Sequence, residues 1–562
     1  MARFWRMVDH VGVKSGTTRA LFARRPSMEP AFDIAVVGAG VVGAALSTAL
    51  GRTGRRVVVL ERDLKEPDRI VGELLQPGGV RALQALGLTD ALENIDAVTV
   101  NGYSVFLGSG KSVNIEYPTP TQIPARYGAG QPYGTSDHYE GRSFHHGRFI
   151  TALRRFMLAE PNVTVREATV TELLHAEDGR VCGVRASEKG AALEVRAHVT
   201  IVADGHASRF RRRYGGTYAP QVWSHFVGIE LPPDSVLVPY HGHVLLGDKE
   251  PLPGTMPAGP VLVYQIGSDA TRILIDVPGP VLPSASSGAL KSYILDSVVP
   301  QLPEKVGTAV VNAVNAGARL RSMPNNFLPP SAQGCAKDQQ GLIIVGDAMN
   351  MRHPLTGGGM TVGLWDCVFL THVLGTGSSS PLPRALWFDV PPAARDLTKW
   401  DAVRRSLLSW HWRRKNLAAV INILAQALYS LFGLPDKRLQ ILRKGCFRYF
   451  ERGGECILGP VSLLAGLAPD VFLLIYHFFA VALYSVELLF RGNLDEDARP
   501  PSLLEYPRLI VEATIVLYTS CVVILPVIFT ELRTNSRMPT YFVPLTAVAL
   551  GICVATAAVY YS

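Results

Sequence analysis

Three glycines, Gly38, Gly40 and Gly43, stand at GxGxxG spacing directly after the apolar run from Ile34 to Val37. The chemistry this trio supports is the holding of a pyrophosphate. The first glycine permits a tight turn, the second lets a phosphate approach the backbone, and the third allows close helix–strand packing. Val41 and Val42 occupy the variable positions and lead into a stretch of helical composition, whose positive end would face the phosphate. A second apolar run, from Val57 to Leu60, ends in Glu61 and is followed by Arg62. An acid at that point accepts hydrogen bonds from an unphosphorylated ribose and repels a 2′-phosphate. Strand, glycine turn, helix, second strand and terminal acid together predict a dinucleotide site.

Four further groups could complete such a site. Glu73 and Gln76 lie among Gly72, Pro77, Gly78 and Gly79, a composition that brings backbone close to a flat or phosphorylated group and equally suits a loop-to-helix turn. Arg148 stands near the start of a predicted helix, where it suits phosphate or carboxylate recognition or the pairing of a surface acid. Asp204 precedes Gly205 at the end of the run from Thr200 to Ala203. Asp347 follows Gly346 at the end of another strand, and Gly357, Gly358 and Gly359 then precede Met360 and a helix. Free N–H groups at that helix start can stabilise negative charge on a reduced ring. His145 and His146 lack a third spaced ligand, and the seven cysteines (182, 335, 367, 446, 456, 521 and 553) show no CxxC spacing, so no metal is expected. Reduced, cytosol-facing thiols are the corresponding expectation.

The elements that must position these groups are legible in outline. Strands are predicted around 101–106, 163–165, 181–185 and 193–199, then at 226–231, 261–266 and 273–277 within a proline- and glycine-rich stretch that reads as a second, sheet-based domain. From Trp400 the composition is helical, and from Pro460 it is strongly apolar. Segments 471–490, 509–530 and 541–560 each have about the 20 residues that a bilayer core requires. Arg491, Arg508, Arg533 and Arg537 flank them. Charged residues make up 18% of the 562, and the net charge of +8 is spread rather than gathered into a patch, so nucleic acid is not an expected partner. Residues 1–30 are basic without a long apolar core, which excludes an ordinary secretory signal and reads as a surface arm.

From about Ala31 onward the chain resembles the squalene monooxygenase (squalene epoxidase) family of flavoproteins. The residues that carry the resemblance are Arg69 to Gly79 around Glu73 and Gln76, Val100 to Tyr103, Phe144 to Phe149 around Arg148, and Gly346 to Met360. Within the last stretch, Asn350, Met351 and Arg352 form an insert that sets it apart from the wider aromatic hydroxylases. The resemblance implies an α/β fold: a Rossmann-like FAD-binding domain, a β-sheet substrate domain and a C-terminal helical membrane-associated region. The boundaries expected are 1–30 for the arm, 31–215 and 336–375 for the FAD domain (the first part with interleaved substrate-domain strands), 216–335 for the substrate domain, 376–459 for a helical region and 460–562 for membrane helices.

It further implies that Gly38, Gly40, Val41, Val42, Gly43, Glu61, Arg62, Glu73, Arg148, Asp204, Asp347 and Met360 bind FAD. Tyr103 would face the substrate, with Gln76 as its hydrogen-bond partner. The implied reaction converts squalene and O2 to (S)-2,3-epoxysqualene through a flavin C4a-hydroperoxide, in sterol biosynthesis. No second complete GxGxxG is present for NADPH, so electrons are expected from a separate NADPH-cytochrome P450 reductase. Membrane lipid at the endoplasmic reticulum, with the catalytic part facing the cytosol, completes the expectation. Two competing readings are a membrane-bound flavin hydroxylase of a prenylated quinone precursor and a non-catalytic flavin-binding sterol or redox sensor. Because the expected catalytic residues all precede 371, a chain ending near Gly459 is expected to keep FAD.

Overall fold

The computed structural model describes residues 31–532 apart from 109, 128–129, 131, 134–136, 216–218, 248–255, 335–338, 378–379, 434–438 and 495–498. The basic arm and the apolar segment 541–560 therefore lie outside the described residues. Strands Phe32–Val37, Val57–Glu61 and Val163–Glu167 are rich in β-branched residues and pair in parallel, the first two largely buried and the third at the sheet edge. Ala191–Val202 joins them in parallel on the other side of Phe32–Val37 and also pairs with Leu342–Ile344. Val181–Glu188 and Thr169–His175 extend this seven-stranded sheet in antiparallel fashion.

The register of this sheet gathers the predicted site. Val37 lies opposite both Leu60 and Val202, and Val202 lies opposite Ile344. The glycine turn, Glu61, Asp204 and Asp347 consequently leave the sheet at one carboxyl edge, where open α/β sheets bind their ligands. Gly38 has φ +98°, and a Cβ there would meet the Ala203 carbonyl oxygen at 2.7 Å. The helix Val41–Arg52 follows, and a Cβ on Gly43 would stand 1.9 Å from the Gly38 oxygen, so this turn closes only on hydrogen.

A second seven-stranded sheet runs Arg321–Phe327, Gln221–Leu231, Thr271–Pro278, Val261–Gln265, His241–Leu246, Gly102–Leu107 and Ser112–Glu116. Its last two strands come from the part of the chain that precedes Asp204, and Gly102–Leu107 pairs in parallel with His241–Leu246. A three-stranded sheet of Leu74–Leu75, Gly141–Ser143 and Val98–Val100 lies in the connection between the two. The helix carrying Gly78 and Gly79 begins at Pro77 rather than at the expected Val80, because proline is well suited to the first helical position.

Among the described residues, three helices are long and apolar enough to cross a bilayer, by length and composition. Trp400–Gly433 has 78% of its apolar window buried inside the protein, against 39% for Val471–Arg491 and 22% for Leu503–Glu531. The first is thus an internal helix. The other two turn apolar side chains outward, including Phe472 at 84% and Tyr518 at 68% exposure. The expected boundary near 459 is not a packing boundary. The Gly78 N–H donates to the Ala465 carbonyl at 2.8 Å, and the Tyr127 hydroxyl donates to Asp470 Oδ2 at 2.7 Å.

Candidate functional site

A cavity of about 520 Å3 opens between the two large sheets and is lined by Gly40, Val41, Val42, Glu73, Tyr103, Asp347 and Met360 of the predicted residues, while Gly38, Gly43, Glu61, Gln76 and Asp204 stand behind its surface. One wall is the carboxyl edge of the first sheet: Gly40, Val41 and Val42, then Ala203 and Gly205, then Gly346, Asp347, Gly359 and Met360. Nothing lies within 4 Å of a Cβ placed on Gly40, so the space before this helix start is open. Glu61 is fixed beside the turn. Its Oε2 accepts from the Ala39 N–H at 2.6 Å, while Arg154 donates to the Ala39 carbonyl at 2.9 Å and stands 3.7 Å from the same carboxylate.

Two carboxylates at this edge keep acceptor capacity in reserve, Asp347 on the cavity wall and Asp204 between the lining residues Ala203 and Gly205. Asp204 Oδ2 accepts from the Arg209 N–H at 3.1 Å, but its buried Oδ1 has no hydrogen-bond partner. Burial raises the Asp204 carboxyl above its ordinary range, against the hydrogen bonds from Ser208 and Arg209. Asp347 is held through its backbone, whose carbonyl accepts from Arg211 at 2.9 Å, and the residue itself is exposed and lines the cavity. Arg69 and Arg352 also line the space, and burial pulls the Arg352 guanidinium down from its ordinary value. An orphaned carboxylate oxygen, an open helix start and two arginines fit a ligand that brings sugar hydroxyls and phosphates. FAD has this chemistry, and the residues present fit it.

The opposite wall is aromatic, and its central glutamine and tyrosines pair with one another. Tyr103 and Tyr117 meet edge to face with ring centroids 5.8 Å apart. Gln76, fully buried, joins them: its Nε2 donates to the Tyr103 hydroxyl and to the Thr356 carbonyl (3.0 Å), and its Oε1 accepts from the Tyr117 hydroxyl at 2.7 Å. Burial raises both phenols, so both stay protonated across the neutral range. Leu74, Leu262, Leu274 and Leu355 line the same side. Glu73 reaches the cavity with its charge already committed, since Arg272 grips it bidentately at 2.9 and 3.0 Å and Tyr264 donates to it at 3.4 Å. Burial raises this carboxyl while Arg272 opposes the shift.

Not every predicted residue meets here. Arg148 does not line the cavity; its guanidinium pairs with Asp96 at 3.4 Å, the surface-acid arrangement that the sequence left open. Arg62 is exposed just past Glu61. Glu73 serves Arg272 rather than standing open to a ligand. Conversely, Arg69, Tyr117, Thr356 and Arg272 were not singled out. Arg69 opens the stretch on which the family resemblance rests, so a signal existed. Arg272 meets Glu73 across 199 positions of sequence, a pairing that no local pattern announces.

The fold and this wall define a flavin-dependent monooxygenase architecture. A family model for the FAD binding domain matches residues 31–235. The p-nitrophenol 4-monooxygenase PnpA of Pseudomonas putida DLL-E4 superposes with a TM-score of 0.57 at 18% identity, covering 78% of this chain and 99% of that one. The flavin-dependent brominase Bmp2 gives the same TM-score at 14% identity, covering 81% and 99%. At these identities the likeness is one of fold. The chain uses FAD. Its particular family follows from a second model, Squalene epoxidase, which matches residues 196–496, and from sequence relatives. Squalene epoxidase erg1 of Aspergillus fumigatus is 45% identical over 92% of this chain and 97% of its own length. Squalene monooxygenase of Mus musculus is 41% identical over 89% of this chain and 78% of its own length. The chain belongs to the squalene epoxidase family.

Proposed function

We infer that this FAD-dependent squalene epoxidase divides its labour between the two walls of the cavity, with Tyr103 and Gln76 acting on the substrate side and the carboxyl edge holding the cofactor. The observation that carries the reading is the position of Gln76, which hydrogen-bonds both the Tyr103 hydroxyl and the Thr356 carbonyl of the glycine-rich loop. One side chain thereby fixes the distance between the substrate wall and the loop before Met360. When bound, FAD supplies the activation of O2 by two electrons. One oxygen atom enters a terminal alkene of squalene to give 2,3-epoxysqualene; the other leaves as water with two protons.

The chain's residues bind, orient and exclude water. Squalene offers no polar handle, so the leucines and the Tyr103–Tyr117 pair recognise it by shape and apolar contact. Because Tyr103, Tyr117 and Gln76 satisfy one another, the wall presents little unpaired polarity to a hydrocarbon. At the carboxyl edge, Asp204 and Asp347 would accept hydrogen bonds from cofactor hydroxyls, Glu61 would take the adenosine ribose, and the helix start at Gly40 would take the pyrophosphate.

Electrons come from a separate NADPH-cytochrome P450 reductase; the lack of a second GxGxxG supports this. The outward apolar faces of Val471–Arg491 and Tyr506–Leu532 support attachment to a membrane; the membrane we propose is that of the endoplasmic reticulum, with the cavity on the cytosolic side. The free thiols Cys182, Cys367, Cys446 and Cys456 suit that reducing compartment. The test is purified full-length protein with FAD, reductase, NADPH and squalene, followed by product mass analysis. A product that gains one oxygen atom and then takes up one water to give a diol in mild acid supports epoxidation; a one-oxygen product inert to acid, or unchanged squalene with a reduced flavin, refutes it.

A further inference from the structure

The last described helix, Tyr506–Leu532, does more than present an apolar face. Near its end Glu531 is buried and has both carboxylate oxygens occupied. Oε2 accepts from Lys415 Nζ at 2.8 Å, and Oε1 accepts from Asn422 Nδ2 at 2.8 Å. Both partners belong to the internal helix Trp400–Gly433 and are themselves buried. Asn422 Nδ2 also donates to Asn350 Oδ1 at 3.1 Å, and Arg352 donates to the Asn350 carbonyl at 3.2 Å. Asn350 and Arg352 belong to the insert between Asp347 and the three glycines, and Arg352 lines the cavity. A chain of four buried side chains thus runs from the end of an outward-facing apolar helix to the cavity wall.

Apolar packing alone does not fix a helix in register, because one turn of Val and Ile substitutes for another. A buried ion pair does, since a slipped register leaves an ammonium or a carboxylate unpaired in a low-dielectric surround. We propose that Glu531 is a positioning residue for the loop 346–358: seated, the helix Tyr506–Leu532 holds Asn422 and through it Asn350 and Arg352, so that docking of this helix and order of the cofactor-facing loop are one event. The inference rests on the reading that this loop faces FAD. It also predicts that a chain ending near Gly459 loses cofactor affinity, because Asn422 and through it Asn350 would then lack the acid that holds them.

The experiment uses the full chain in lipid nanodiscs and compares wild type with Glu531→Gln. Hydrogen–deuterium exchange reads the loop 346–358, flavin fluorescence reads the FAD dissociation constant, and carbonate extraction checks membrane retention. Expected are faster exchange confined to that loop, FAD binding weaker by roughly five- to tenfold, and unchanged retention. If Glu531→Gln does not fold, the double variant Lys415→Met with Glu531→Leu, which leaves no charge unpaired, decides by the same readouts. Loop exchange equal to wild type in a folded variant overturns the proposal. Faster loop exchange with unchanged FAD affinity upholds the coupling and instead overturns the placing of FAD against this loop.

Discussion

The two walls of the cavity solve opposite problems with similar polar residues. On the carboxyl edge, Asp204 keeps a buried oxygen without a partner and Asp347 stands exposed, so that wall is incomplete by itself. On the aromatic wall, Gln76 joins Tyr103, Tyr117 and Thr356, and Glu73 is closed by Arg272. Unspent acceptors mark where a polar ligand completes the protein, and spent ones mark where a hydrocarbon can lie without stranding a hydrogen bond. The same comparison explains why acidity by itself is a poor guide. Glu73 lines the cavity and Asp204 stands next to lining residues, yet one is a structural ion pair and the other keeps an unpartnered oxygen.

Glycine substitutions should break the polar wall most severely. Gly43→Ala forces a Cβ to 1.9 Å from the Gly38 oxygen, so a loss of roughly 3 kcal/mol or more and no recoverable holoprotein are expected, read by thermal melting and flavin absorbance. Gly40→Ala meets no protein atom within 4 Å and should fold normally while losing most of its FAD. Full flavin occupancy in Gly40→Ala would show that the open space is not ligand space.

Removing an aromatic ring tests the other wall. Tyr103→Ala opens the apolar surface and deprives Gln76 of a partner, so epoxidation should fall roughly 100-fold, corresponding to about 3 kcal/mol. Tyr103→Phe keeps the ring and should cost roughly three- to tenfold. Steady-state turnover with squalene separates the two; equal losses would make the hydroxyl, not the ring, decisive.

Acid should weaken both walls together. Burial pulls His146 and His243, which line the cavity, from 6.5 down to about 4. Each folded-state value lies below its unfolded one. The stability that depends on these neutral rings is therefore complete above about pH 6.5, drains below it as the unfolded chain takes up protons, and is lost as pH falls through about 4. Each shift is worth about 3 kcal/mol over that window. Denaturant unfolding from pH 7 to 4 should show the decline, and His243→Gln should flatten it. The mildest change is Glu61→Gln, which retains an acceptor for the Ala39 N–H; FAD affinity measured by fluorescence should drop only about threefold.

What the sequence disclosed follows the range of the interactions. The turn at Gly38, Gly40 and Gly43 is legible because its parts are neighbours along the chain, and strand ends at Asp204 and Asp347 are legible because apolar runs stop there. The convergence of those ends on one edge depends on sheet register, which no single strand specifies. Tyr117 on Gln76, Arg272 on Glu73 and Glu531 on Asn422 are pairings across 41, 199 and 109 positions, and they leave no periodic trace. The boundary near 459 was drawn from composition, whereas the contact of Gly78 with Ala465 shows the apolar segments packed on the catalytic half.

The division between the walls is tested most directly by measuring the FAD dissociation constant of Asp347→Ala and Tyr103→Ala side by side, by flavin fluorescence on full-length protein. Loss of an open carboxylate that accepts from the cofactor should weaken FAD roughly 10- to 100-fold in the first, while the second stays within about twofold of wild type. Equal weakening in both variants, or none in Asp347→Ala, would contradict the account.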